Sequence, residues 1–537
     1  MTADVIVVGS GPAGANAAAA LVERGRRVLM LDVGDTDATY EALVPAQRFA
    51  LIREWDAGQH RYFLGERFEG IPDTGVRVGA QLTPPRTYVT ASAARLTPSQ
   101  STTFTAAESL ALGGLGNAWG AGVFEFDSAE LADWPVSITE LRPHYDAVAA
   151  RIGVSGATDD LSRFFPQPAH AMPPLEIDSS ADQILRAYQA KRESFNAEGL
   201  FLGRPGMAVS TEALGDRGPH EYRDMDFWAD TDRSVYRPRW TIAELRRSNA
   251  FEYVGRQLVL RFAEHADGTV TVTTRDVDAG ASRRFSARVL LLGAGTLGTS
   301  RIVLRSLDRF GQRVPLLCNP YTYAPVINWR MLGGEARDRR HSLAQLTAIH
   351  QPRAERGSRG SVQAQLFSYR SLLNFRLLRE LPLAQRDGLR ALRVLLPALG
   401  ILGISHDDSV TSEKYCELRA GGGGDGCLEI SYRLTGIETS RNDAGERAML
   451  GFFRRLGAWP IKRVHPGHGS SIHYAGTFPM RHAPRDLETG ADGRLAGTRA
   501  VHLVDGSTFP YLPAKGLTFT IMANANRIAD LVARRLA

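Results

Sequence analysis

Cysteine is nearly absent: the 537 residues hold three, Cys318, Cys416 and Cys427. An odd number without CxxC spacing argues against a disulfide framework and a structural zinc site, and a reducing cytoplasm is the expected compartment. Long apolar runs are missing too. The longest nearly uninterrupted one, VLLPALGILGI from Val394 to Ile404, has eleven residues. A helix needs about twenty to cross a bilayer core, so no transmembrane span is expected. The opening MTADVIVVGSGPAG carries no basic n-region, no long apolar h-region and no cleavage site, and secretion through a signal peptide is therefore not expected. No repeat of solenoid period and no long low-complexity tract occurs. The net charge of +6 is small for the length, and the pI near 9.3 reflects arginine rather than a basic tail. No nucleic-acid partner is expected.

What is present describes a soluble globular chain, 43% hydrophobic and 23% charged. Its length is roughly three times that of a typical domain, which points to a large domain plus a second one. Residues 3 to 34 read as strand, glycine turn, alanine-rich helix and second strand, one βαβ unit. RFSARVLLLGAGTLGTSRIVLRSL, residues 284 to 307, repeats this grammar with a fully apolar strand, as suits a parallel sheet covered on both faces. QLVLRF and TVTVTTRD alternate around His265 to Gly268 and predict a hairpin. The C-terminal stretch predicts a strand, a loop and an amphipathic helix. Residues 165 to 225 and 316 to 460 have a different texture, as insertions that form a substrate domain in two pieces.

The run Gly9, Ser10, Gly11, Pro12, Ala13, Gly14 fits GxGxxG after a strand and at the opening of a helix. The first glycine allows the tight turn, the second lets backbone approach a pyrophosphate, and the third lets helix pack on strand. Asp32 follows Gly14 by 18 residues at the end of the second strand, where a carboxylate can accept from ribose hydroxyls. The pattern predicts a dinucleotide site. FAD is preferred to NAD because the unit begins a long chain whose other glycine-rich loops can surround a flavin, although spacing alone leaves both open.

Five ordered segments resemble the glucose-methanol-choline (GMC) flavoprotein oxidoreductases. They are the N-terminal turn; LGGLGNAWGAG followed by DWPVSITELRPHYDAVAARIGVSG; the strand around Gln257 to Leu260; LLLGAGTLGTSRIVLRS; and HYAGTFPM with VDGSTFPYLPAKGLTFTIMANANRIA. The resemblance implies an α/β fold, with an FAD-binding doubly wound, Rossmann-like domain and a discontinuous α+β substrate domain. The implied boundaries are 1–160, 226–315 and 461–537 for the FAD-binding domain and 161–225 and 316–460 for the substrate domain. It implies flavin contacts from Gly113, Gly114, Asn117 and Trp119. Adenine contacts come from Val259, and further cofactor contacts from Ala294, Gly295, Asp505, Gly506 and Thr518. The helix starting near Thr518 is expected to point its positive end at the flavin pyrimidine.

Within the resemblance, His473 stands in H-x-x-G-T-x-x-M with Gly476, Thr477 and Met480, the place of the family's active-site histidine. It is expected to take the hydroxyl proton of an alcohol as hydride leaves for flavin N5. His465 and His468 match no motif position and are read as loop residues. The chain departs from the family after Asp505 and Gly506, where a second histidine or an asparagine followed by proline is usual. Gly516 and Leu517 stand there. Either His473 works alone, or Lys515 supplies a donor for alkoxide or reduced flavin; the alternative for Lys515 is a solvated lysine. Some sugar-oxidising relatives attach FAD through a histidine whose matching position here is Ala118, so noncovalent FAD is expected.

The expected activity is oxidation of a primary or secondary alcohol, such as a sugar, glycoside or natural-product hydroxyl, to a carbonyl. Oxygen or an external carrier accepts the electrons. The alternatives are lyase-type chemistry on the same scaffold, which the vacancy at Gly516 favours modestly, and a non-catalytic flavin-binding protein. Residues 330 to 393 hold thirteen arginines against five acids, a local balance of +8. In residues 369 to 405 arginines alternate with apolar residues at helical spacing. This reads as two amphipathic helices with arginines in water, as a helix on an anionic membrane surface, or as recognition of a phosphorylated or carboxylated substrate.

Overall fold

The computed structural model describes the chain apart from residues 1–2, 38–42, 44–51, 53–54, 63, 69–85, 223–232, 335–340, 353–358, 369–381 and 422–424. The elements that frame its main cleft begin with β1 (Val5–Val8), α1 (Pro12–Glu23), β2 (Val28–Leu31) and α2 (Ile138–Ile152). Next come β3 (Leu200–Gly203), β4 (Phe251–Val254), β5 (Gln257–Glu264), β6 (Val270–Asp276), β7 (Ser282–Ala287) and β8 (Val289–Leu292). They are followed by α3 (Thr296–Ser306), β9 (Tyr321–Asn328), β10 (Ala344–His350), β11 (Val362–Ser368) and α4 (Gln385–Leu395). The last are β12 (Leu399–His406), α5 (Gly436–Arg455), β13 (Ala458–Pro460), β14 (Val501–Leu503) and α6 (Thr518–Arg535).

The apolar runs VIVV, VLML and VLLL are buried along their whole length. They lie in a five-stranded parallel sheet of order β14-β8-β1-β2-β4, the arrangement that strands without a polar face require. Helix α1 packs against α6 through small side chains, Ala15, Ala17 and Ala18 in one core with Ala523, Ala525 and Ala529. Helix α2 opens with a capping box, Ser137 accepting from the Glu140 N–H while the Glu140 carboxylate accepts from the Ser137 N–H, an arrangement that stabilises a helix start by about 1 kcal/mol. It docks on α6 through a Tyr145–Thr520 hydroxyl contact of 2.7 Å. The hairpin at His265 to Gly268 joins β5 and β6, and β7 completes a three-stranded antiparallel sheet.

A second sheet, six-stranded and antiparallel, has the order β13-β9-β12-β11-β10-β3. Its strands alternate. Ala324, Ala364, Leu366, Leu402 and Ile404 pack with Met449, Phe452 and Phe453 of α5, so residues offset by one, including Tyr321, Gln363, Gln365 and Ser405, project to the other face. That face meets the cleft.

The stretch predicted as two amphipathic helices differs from that expectation. Residues 385 to 395 form α4, with Arg386, Arg390 and Arg393 exposed. Pro397 lies in a short 3-10 turn that ends the helix, and LGILGISH then pairs on both sides as the strand β12. Residues 369–381, with Arg370, Arg376 and Arg379, lie outside the described residues, as do Arg337, Arg339, Arg340, Arg353 and Arg356. Among the described residues no helix is long and apolar enough to cross a membrane.

Candidate active site

A cavity of about 360 Å³ runs along the carboxyl ends of the parallel strands, from Asp32 and Gln257–Leu260 to His473 and the face of the second sheet. The glycine turn between β1 and α1 forms its wall. A Cβ on Gly14 would stand 1.9 Å from the Gly9 carbonyl oxygen, so only glycine lets α1 approach β1 this closely. Gly11 lines the cavity, and a Cβ there would meet nothing within 4 Å. Backbone is thus exposed to a ligand beside the start of α1, whose first turn holds no acid. This cradle and the free N–H groups of a helix start fit the pyrophosphate of a dinucleotide.

Gly9, Gly11, Pro12, Ala13, Asp32, Gly114, Trp119, Val259, Ala294, Gly295, Asp505, Gly506 and Thr518 all line this cavity, as does His473. Gly14, Gly113 and Asn117 stand one layer behind it. Gly113 adopts φ +97°, and its N–H donates to Ser10 Oγ at 2.8 Å. Ser10 in turn donates to Asp32, so one hydroxyl ties the glycine turn, the acidic strand end and the Gly113 loop together. Asn117 donates to the Leu112 carbonyl at 2.7 Å and shapes the loop from within. Trp119 donates its indole N–H to the Tyr236 carbonyl at 2.8 Å, which fixes the ring. Burial pushes the Asp32 carboxyl up to about 7, against the opposing pull of the Ser10 and Tyr253 hydroxyls. Ribose hydroxyls donating to it favour its charged form.

At the other end, His473 is half-buried, and its Nδ1 lies 3.0 Å from Asn319 Oδ1. The Asn319 amide is oriented by its own partners, since Nδ2 donates to the His406 and Pro513 carbonyls, each at 2.7 Å. Its Oδ1 is therefore the atom that faces the imidazole, and Nδ1 must carry the hydrogen. This leaves Nε2 as the basic nitrogen. Desolvation pushes the histidine down to about 4, so the ring is neutral at ordinary pH and able to accept a proton. Asn319→Asp sets a carboxylate against the Nδ1–H and is expected to move the acidic limb of the pH–rate profile up by about 1–3 units. An unmoved limb would show that Asn319 does not hold the ring.

Lys515 requires a correction. It does not line the cavity: it is buried, with Nζ 2.7 Å from Glu130 Oε2 and 3.1 Å from the Glu125 carbonyl. Burial pushes the Glu130 carboxyl up to about 7, a shift that Lys515 opposes. Lys515 is therefore not a solvated lysine, and its Nζ is engaged by Glu130 rather than directed into the cavity. Gly516, its neighbour, does line the cavity, under the Phe124 ring. His465 is exposed beside Thr322, and His468 lies against the Tyr432 ring, both away from the cavity.

Sequence reasoning missed Ser10, Asn319, and the side chains that the second sheet sends into the cavity, Tyr321, Gln363, Gln365 and Ser405. It also missed the Arg301–Glu108 ion pair, 2.8 Å at its second contact, which lines the same cavity. The period-two glutamines of VQAQLFS were a readable signal for one polar strand face. Asn319 left no such signal.

No family model matches the chain. It is 25% identical to paromamine 6'-oxidase of Streptomyces fradiae, over 99% of this chain and 93% of that protein. It is also 25% identical to 6'''-hydroxyparomomycin C oxidase of Streptomyces lividus, over 99% and 92%. The fold matches pyridoxine 4-oxidase from Mesorbium loti with a TM-score of 0.56 at 16% identity, covering 99% of both chains. It matches formate oxidase of Aspergillus oryzae RIB40 with a TM-score of 0.60 at 12% identity, covering 99% and 98%.

Proposed function

We propose that this chain, a member of the glucose-methanol-choline flavoprotein oxidoreductases, oxidises a hydroxyl of a sugar or glycoside to a carbonyl with FAD as its noncovalent cofactor. The observation that carries this reading is a histidine with a defined basic nitrogen at the end of a dinucleotide cleft. The full-length relatives, named as oxidases of paromamine and of 6'''-hydroxyparomomycin C, support a sugar hydroxyl as the substrate group, with oxygen or an external carrier accepting the electrons.

The Gly9–Ala13 turn, Asp32, the β5 strand and the Thr518 helix start would hold the cofactor. When bound, FAD supplies the hydride acceptor at N5. The chain's own residues handle the proton. His473 Nε2 accepts it from the substrate hydroxyl, and Asn319 accepts from the opposite nitrogen, holding the ring plane and steadying the imidazolium that forms. Gly516 contributes no side chain, so His473 works as the single base at this end. Ala118 lines the cavity where a linking histidine would stand and offers no nucleophile.

Acid precipitation of the purified protein is expected to release all FAD into the supernatant, and anaerobic addition of a glycoside bearing a free primary hydroxyl is expected to bleach the 450 nm region, roughly where oxidised flavins absorb. Flavin held in the pellet contradicts the noncovalent assignment. A flavin that stays oxidised with every sugar and glycoside of a broad panel contradicts the activity.

A further inference from the structure

The closed end of the cleft has a construction that the base and cofactor elements do not account for. One residue row crosses five strands of the second sheet, Phe201 on β3, Ile349 on β10, Gln363 on β11, Ser405 on β12 and Tyr321 on β9, each opposite the next in register. Directly opposite side chains share a face and touch. Phe201 and Ile349 belong to an apolar cluster with Phe124 and Phe165, while Tyr321, Gln363 and Ser405 line the cavity.

Gln363 is 3% exposed and Ser405 is 5% exposed. Neither Gln363 Nε2 nor Ser405 Oγ has a partner among the described residues. A buried donor without a partner is costly, and such groups mark where a ligand supplies the missing bond. The apolar end of the row, with Phe124 beside Gly516, presents a surface for C–H groups. Hydrogen-bonding groups on one side and a carbon face on the other are the two aspects of a polyhydroxylated ring.

The charge pattern restricts that ring further. Apart from neutral His473, the side chains lining this end are uncharged. The ionic lining residues Arg301, Arg305, Glu108 and Asp425 gather at the adenine end, where Arg305 donates to the Leu260 carbonyl. Asp505 is taken up by the Thr299 hydroxyl and the Ser507 N–H. Carboxylates close behind the sheet are already engaged, Glu446 by Thr322 and Arg463, Asp407 by Arg441, and Asp408 by Lys414. A substrate ammonium here would be desolvated without a counterion.

We propose that Gln363, Ser405 and Tyr321 form a recognition platform for an uncharged polyhydroxylated ring, and that the enzyme selects against a ring carrying a protonated amine. The assignment rests on the sugar-oxidation reading above and adds the charge class of the ring.

The test uses the FAD-loaded enzyme with methyl glucopyranoside and its 2-amino-2-deoxy counterpart at a pH that keeps the amine protonated. Binding is read from perturbation of the oxidised flavin spectrum, and turnover from anaerobic bleaching. The neutral glycoside is expected to show at least about tenfold higher kcat/KM. Raising the pH to neutralise the amine is expected to close the gap. Ser405→Ala is expected to weaken neutral-glycoside binding several-fold, and Gln363→Glu to invert the preference; retained FAD reports that each variant has folded. Preference for the ammonium glycoside in the unmodified enzyme, or an unchanged preference in folded Gln363→Glu, overturns the platform and leaves sugar oxidation standing. If neither glycoside perturbs or bleaches the flavin, the platform fails together with the sugar reading.

Discussion

His473→Ala is expected to slow flavin reduction by the substrate by about 10²–10⁴-fold, the range that a positioned general base contributes, while FAD content stays at the wild-type level. The two halves of this expectation have separate causes. Asn319 fixes Nδ1–H and leaves Nε2 to take the hydroxyl proton, and Gly516 provides no second side chain to share the task. The Gly9–Ala13 turn and Asp32, where the proposed cofactor's phosphate and ribose would sit, line the cleft without any contribution from His473. Rapid-mixing absorbance under nitrogen gives the rate, and the ratio of flavin to protein absorbance gives occupancy. Full activity in the variant would remove His473 from the base role.

Lys515→Met is expected to destabilise the protein by a deficit that grows above pH 7 toward about 3–5 kcal/mol, the cost of leaving a buried carboxylate without its cation. Both partners are enclosed, with side chains 2% and 1% exposed, and the contact is 2.7 Å. The effect has a defined pH dependence. Glu130 ionises near 7 in the folded protein against 4.5 unfolded, so its ionisation penalty is absent below the lower value, grows as pH rises between the two and is constant above the upper one. Removing Lys515 raises the folded value further. The deficit of the variant is therefore smaller at pH 5 than at pH 8. Adding Glu130→Gln to Lys515→Met is expected to recover part of the loss, because the uncompensated charge goes with it. Thermal unfolding of the two variants at both pH values measures this. A Lys515→Met protein of wild-type stability that fails only in flavin reduction would restore the lysine to the reacting centre.

The parallel sheet was legible because VIVV, VLML and VLLL carry no polar face, and a strand of that kind must be covered on both sides. The glycine turn and Asp32 were legible for a related reason, since their spacing serves local backbone geometry. Long-range pairing was not. Lys515 sits next to a cavity residue, yet its direction is set by Glu130, 385 residues earlier in the chain. Asn319 is 154 residues from His473, and its role depends on two carbonyls that orient its amide. In residues 385 to 405 the apolar spacing suited a helix throughout, but Pro397 and open edges on β9 and β11 turned the second half into a strand.

The most direct test of a neutral histidine acting as the base is the pH dependence of the rate of flavin reduction at saturating substrate. The pKa of about 4 predicts a rate that stays level through neutral and mildly alkaline pH and falls only as pH drops toward 4. A rate that falls with a midpoint near the ordinary histidine value, or one that keeps climbing in alkali, would contradict it.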